Sequence, residues 1–193
     1  MTTVTTRNQL IIGVILALLL VTTRGHHFSS LHNLPSASWA IFFIAGFYLR
    51  QAWVLPALFG LAGALDFAAV TWGGVSNFCV SPAYAFLLPA YSALWMAGRW
   101  YSGKFQFAWS TLMPLFVAVF LGAAMCEVFS SGGFYIFSGR FAEPTFAEFG
   151  SRLVMYFPHS LQSVFFYVGI TALLHTLFSL ASDQMNTGKR HLA

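Results

Sequence analysis

Cys79 is the residue of this sequence best placed to do chemistry. It stands in Gly73-Gly74-Val75-Ser76-Asn77-Phe78-Cys79-Val80-Ser81-Pro82, with a Gly-Gly pair at one end and a Ser-Pro pair at the other. Both pairs favour turns and stop helices, so the stretch reads as a tight loop between two long apolar segments. A thiol at a helix end can be reached by a ligand, and nearby helix N-termini favour its thiolate, the form that binds soft metals and attacks electrophiles. The plain alternative is a small apolar side chain packed in a loop.

Asp66 is the second candidate. It lies about two turns inside the end of an apolar segment, where a carboxylate needs a cation or hydrogen-bond donors to stay ionised. Arg152, His27 or a ligand could supply them, and an Asp66–Arg152 pair joining two helices is the structural version of the same expectation. Tyr84, five residues after Cys79, offers a ring to cover a ligand and a hydroxyl to bond it, or serves as an interfacial tyrosine. His26 and His27 are ambiguous neighbours, Glu127 is expected near the outer end of its helix, and Cys126 reads as a buried, inert thiol. Many of the 22 phenylalanines must face lipid or pack a bundle, but Phe134, Phe137, Phe141, Phe146 and Phe149 could line a lid over a bulky ligand.

The elements that hold these residues follow from composition. Of all residues 58% are hydrophobic and 7% charged, against roughly 25% charged in soluble domains. The chain is therefore expected to be an all-α integral membrane protein, a single transmembrane domain over 1–193. Six apolar segments, at 8–23, 37–51, 53–72, 83–101, 109–131 and 153–181, predict a six-helix bundle. Continuous apolar runs, not alternation, favour a helical bundle strongly over a barrel. The first segment has no small-x-small cleavage site and reads as an uncleaved helix. The net charge of +4 is dispersed, which excludes a nucleic-acid surface.

Basic residues in alternate loops set the orientation. Arg7, Arg50, Arg99, Lys104, Lys189 and Arg190 fall on one side and Arg24, Arg140 and Arg152 on the other, so both termini are expected in the cytoplasm. The Cys79 loop then faces outward, as do Asp66, Tyr84, His27 and Arg152. Gly13 and Ala17 form a small-xxx-small ridge on the first helix, fit for packing within the bundle or for docking a partner helix.

Taken together, His27, Asp66, Cys79, Tyr84 and Arg152 give the chain its resemblance to the BtuM family of bacterial cobalamin (vitamin B12) transporters, which is similar to the solitary S-components of energy-coupling factor (ECF) transporters. The resemblance covers essentially the whole chain. It implies uptake across the bacterial inner (cytoplasmic) membrane by a multi-pass protein whose outward-facing pocket binds cobalamin. It implies further that the Cys79 thiolate is an axial ligand of the cobalt and displaces the cyano ligand, which would make Cys79 the catalytic residue of a decyanation. His27, Asp66, Tyr84 and Arg152 become ligand-binding residues. Gly13 and Ala17 become the docking ridge for an ECF transmembrane/ATPase module, although the usual ridge is richer in Ala.

Two other classes compete. His159 and His175 in the last segment suggest a haem-binding electron-transfer protein, which needs a partner His at each depth. Cys79 with His27 as base suggests an intramembrane Cys-dependent enzyme, for which no orienting third group is evident.

Overall fold

Small residues decide how closely the central helices meet. A computed structural model describes residues 5–24, 35–74 and 81–191, with side chains to 182. Among them are six α-helices: α1 (Thr6–Arg24), α2 (Ser38–Tyr48), α3 (Val54–Trp72), α4 (Leu87–Lys104), α5 (Leu112–Phe137) and α6 (Phe146–His191). A 3-10 turn at Pro82–Phe86 leads into α4 and another at Trp109–Thr111 into α5. Helix α2 is the core: eight of its eleven residues are buried, including Ile41, Phe42 and Phe43. Its neighbour α4 crosses it with two glycines at the contact. A Cβ on Gly46 would collide with the Trp95 carbonyl and one on Gly98 with the Phe43 carbonyl, so only hydrogen fits at either place. A Cβ on Gly122 of α5 would stand 2.8 Å from the Ala97 methyl of α4, which extends the same small-residue packing to a third helix.

Side-chain ties fix the direction of each helix. Arg24 at the end of α1 reaches Ser38 at the start of α2, while Gln9 near the start of α1 accepts from the Arg50 amide just beyond α2. Helix α2 thus runs back along most of α1. Arg24 also meets Asp66 in the second half of α3, and Tyr91 near the start of α4. The far end of α4 lies beside α2's end, where Arg99 donates to the Arg50 carbonyl. Tyr101 bonds Thr111 at the start of α5, and Gly133 near its finish packs against Phe86. In α6, Tyr167 donates to the Pro35 carbonyl, and His175 bonds Tyr48. Helices α1, α3 and α5 therefore point toward an Arg24 end, and α2, α4 and α6 toward an Arg50 end.

Four of these helical stretches are long and apolar enough to cross a membrane: Thr6–Arg24, Val54–Trp72, Trp109–Phe137 and Phe146–Ser182. Large apolar side chains cover their outer faces, among them Leu10, Val14 and Leu18 on α1 and Leu173, Leu177 and Phe178 on α6. An apolar outside around an apolar inside is what hydrocarbon solvent demands. Four such spans are found among the described residues, where six were expected from sequence. Helix α2, at eleven residues, is about 16 Å long, short of a hydrocarbon layer of about 30 Å.

The boundaries shift where glycine and serine suggest breaks. Ser130-Ser131-Gly132-Gly133 lies inside α5, not after it, because the glycines make room for Phe149 and Phe86. Helix α6 starts at Phe146, before the expected 153, and runs through Pro158. Glu127 consequently sits ten residues before the end of α5, buried at 3% exposure and bonded to Ser131 one turn on.

Candidate functional site

An Asp on the inward side of α3 must find a cation, and it finds Arg24. The pair is bidentate, with Nε to Oδ1 and Nη2 to Oδ2 both at 2.7 Å. The Arg24 side chain is 10% exposed and that of Asp66 31%, so the carboxylate keeps one open edge while the guanidinium is enclosed. Arg24 spends its other nitrogen on two buried hydroxyls. Nη1 donates to Tyr91 at 2.9 Å and to Ser38 at 3.1 Å, and the guanidinium carbon lies 5.7 Å from the centre of the Tyr91 ring. Phe42 stacks on that ring at 4.2 Å. A charge held by a bidentate carboxylate and two fixed hydroxyls is locked in position.

Tyr84 completes the cluster by donating its O–H to Asp66 Oδ2 at 2.8 Å. The consequence reaches the loop that precedes it. Helix α3 ends at Trp72 with Gly73 as its cap, and Gly74 follows at φ 66°, a left-handed turn that glycine makes without strain. The chain is described again at Ser81, where Pro82 opens the 3-10 turn that carries Tyr84. The described residues on either side of 75–80 are thus the cap of α3 and a turn bonded back onto α3. Ser81 Oγ, at its exit, is buried and has no hydrogen-bond partner among the described residues. Cys79 and His27 themselves lie outside the described residues.

No family model and no curated protein matches this chain. The site therefore has to be read from its own geometry.

Of the sequence candidates, Asp66 and Tyr84 are brought together. Arg152 is placed elsewhere and is not the partner of Asp66. It pairs with Glu148 one turn earlier on α6, at 3.0 Å, and its guanidinium carbon stands 4.4 Å from the centre of the Phe141 ring. Glu148 also accepts from Tyr135 at 2.9 Å, and Tyr135 in turn accepts from the Thr145 amide. Arg152 thus ties the corner between α5 and α6 together, next to the phenylalanines expected to form a lid. Cys126 is fully buried, as expected. Gly13 and Ala17 are half-buried, and a Cβ on Gly13 would touch Leu49 at 3.8 Å. The ridge therefore faces partly into the bundle, while the outermost face of α1 is bulky and aliphatic.

Sequence reasoning missed Arg24, Ser38 and Tyr91. Arg24 reads as a loop charge because it closes α1. The available signal was Asp66 itself, whose depth required a cation from a helix ending on the same side. Of the α6 histidines, His159 is exposed and His175 hydrogen-bonds Tyr48 at 2.8 Å; His26 and His27, the expected partners of His159, lie outside the described residues. Among the described residues no three His, Cys, Asp or Glu side chains gather into a metal cage.

Proposed function

We propose that this chain binds cobalamin at its Arg24 end for uptake across the cytoplasmic membrane, with the Cys79 thiolate as axial ligand of the cobalt. The observation that supports the reading is the Arg24–Asp66–Tyr84 cluster, which ties the turn that follows the Cys79 stretch to α3. Gly73 caps α3 before the Cys79 stretch and Tyr84, five residues after Cys79, is bonded to Asp66, so the described residues on either side of Cys79 are tied to one helix. The partly open carboxylate edge of Asp66 suits the amide side chains that fringe a corrin. The corrin ring supplies four nitrogens to cobalt, so one sulfur suffices and no protein cage is needed. Thiolate is a strong soft-metal ligand.

With cyanocobalamin the step is a ligand exchange without change of oxidation state. A cobalt–sulfur bond forms as the cobalt–cyanide bond breaks, cyanide leaves with its electron pair, and the thiol proton leaves with it as hydrogen cyanide. Arg152, beside Phe141 at the α5–α6 corner, is assigned to the aromatic cover and not to the Asp66 cluster. The proposal places the protein in the inner membrane of a bacterium with six passes and both termini inside. Whether a coupling module docks on α1 is tested by co-purification with and without Gly13→Leu.

The deciding experiment is the visible spectrum of purified protein incubated with cyanocobalamin. Wild type should retain corrinoid through gel filtration with bands shifted from those of the free vitamin. Cys79→Ala should give the unshifted spectrum or none, and release no cyanide. Retention with identical bands in both proteins would refute sulfur ligation, and a Soret band in the protein as isolated would favour haem.

A further inference from the structure

The Arg50 end holds a cavity of about 310 Å³ between α2, α6 and the connection from α4 to α5. It lies at the opposite end of the bundle from Asp66, and its reading does not depend on cobalamin. Its walls are largely aromatic, with Phe47, Tyr101, Phe105 and Trp109 contributing rings. His175 projects among these rings: Phe105 meets it edge-to-face at 5.2 Å, and Phe47 does so at 6.4 Å. The His175 Nδ1 is hydrogen-bonded to the Tyr48 hydroxyl at 2.8 Å, and both residues line the cavity. A second polar pair, Tyr101 and Thr111, bonds at 3.2 Å on the same lining.

Sites for small molecules have this character: apolar, aromatic, with a few placed polar groups. A simple acyl chain makes no use of an imidazole–phenol pair, and a strongly polar solute finds too few partners here. When the phenol donates to Nδ1, the neutral imidazole carries its own proton on Nε2 and offers it to an acceptor. An acceptor on a flat apolar frame satisfies both demands.

We propose that this cavity is a second ligand site, taking a planar conjugated ring with a carbonyl edge and an apolar tail, the chemistry of a quinone, with His175 as donor to the carbonyl and Tyr48 holding the imidazole. The ring lies against Phe47 and Phe105, and the tail leaves toward lipid.

The test uses the purified full-length protein in detergent with decylubiquinone as probe, read by quenching of tryptophan fluorescence. Quenching should saturate, lose most of its amplitude in Trp109→Phe, and need at least tenfold more quinone in His175→Ala. Tyr48→Phe, which keeps the ring, should weaken binding several-fold. Quenching that rises linearly and equally in wild type and His175→Ala would show partition into the micelle and overturn the site. Equal displacement of the quinone by a plain ten-carbon alcohol would also overturn it, by identifying a groove for lipid tails. His175→Gln guards against a folding artefact: with an unchanged gel-filtration profile it should recover part of the affinity, and full wild-type affinity in His175→Ala would refute the donor role.

Discussion

At the scale of the residue, the Arg24–Asp66 pair shows how a charge is kept inside a bundle. Removing one partner leaves the other desolvated and uncompensated, which costs about 3 kcal/mol or more, whereas removing both relieves the demand. Arg24→Met and Asp66→Leu should each lower the thermal midpoint of the purified protein, and the double variant should sit well above the sum of the two losses. Additive losses would show that the charges do not couple across the 2.7 Å contacts. Tyr84→Phe is expected to behave differently. It deletes a single hydrogen bond worth about 1 kcal/mol, so the protein should stay folded while corrinoid retention falls, because the loop exit is no longer tied to α3. Unchanged retention would detach the cluster from the loop's function.

At the scale of the element, the α2–α4 crossing is the joint on which the bundle depends. Gly98→Ala places a methyl against the Phe43 carbonyl, and backbone cannot step aside as a side chain can. The substitution should cost about 1–3 kcal/mol. Gly103→Ala, where a Cβ meets nothing within 4 Å, should be neutral or mildly stabilising because alanine favours helix. Equal midpoints for the two variants would refute the close crossing. The same joint explains what the sequence does and does not reveal. Apolar runs mark the place of all six helices, although α4 turns polar over its last third. They misplace the start of α6 and the end of α5, because Gly132 and Gly133 act as space for Phe149 and Phe86 and not as breakers, a role that exists only once the rings have packed. In the site, Asp66 is legible from its depth and Tyr84 from its place after the Cys79 loop. Arg24 is not, since nothing in the order of residues tells that the end of α1 stands beside α3. Arg152 is misassigned for the converse reason, since its partner Glu148 is one helical turn away.

At the scale of the whole molecule, six helices alternate in direction although only four stretches have the length and hydropathy of spans. The two facts are compatible if the two helices that fall short, α2 and α4, cross inside a protein sheath, where irregular stretches are tolerated because other helices cover them. Helix α4 packs against α2 and α5, and α2 is more buried than α4. Its burial provides that sheath, and its ties to Arg24 at one end and Gln9 at the other carry it along most of α1. The distribution of Lys and Arg gives the expected orientation. The Arg24 end carries Arg24, Arg140 and Arg152, and the other end Arg7, Arg50, Arg99 and Lys104. By the positive-inside preference the Arg50 end is expected in the cytoplasm, as proposed. Cysteines placed at the exposed positions Glu143 and Lys104, in a Cys79→Ser background that leaves only the buried Cys126, report the two sides of α5. An impermeant maleimide should label Glu143→Cys in intact cells and Lys104→Cys only after the membrane is opened. The reverse pattern would invert the molecule and put the quinone cavity outside. Labelling of both in intact cells would mean that α5 does not cross, and the alternating bundle would have to lie differently in the bilayer.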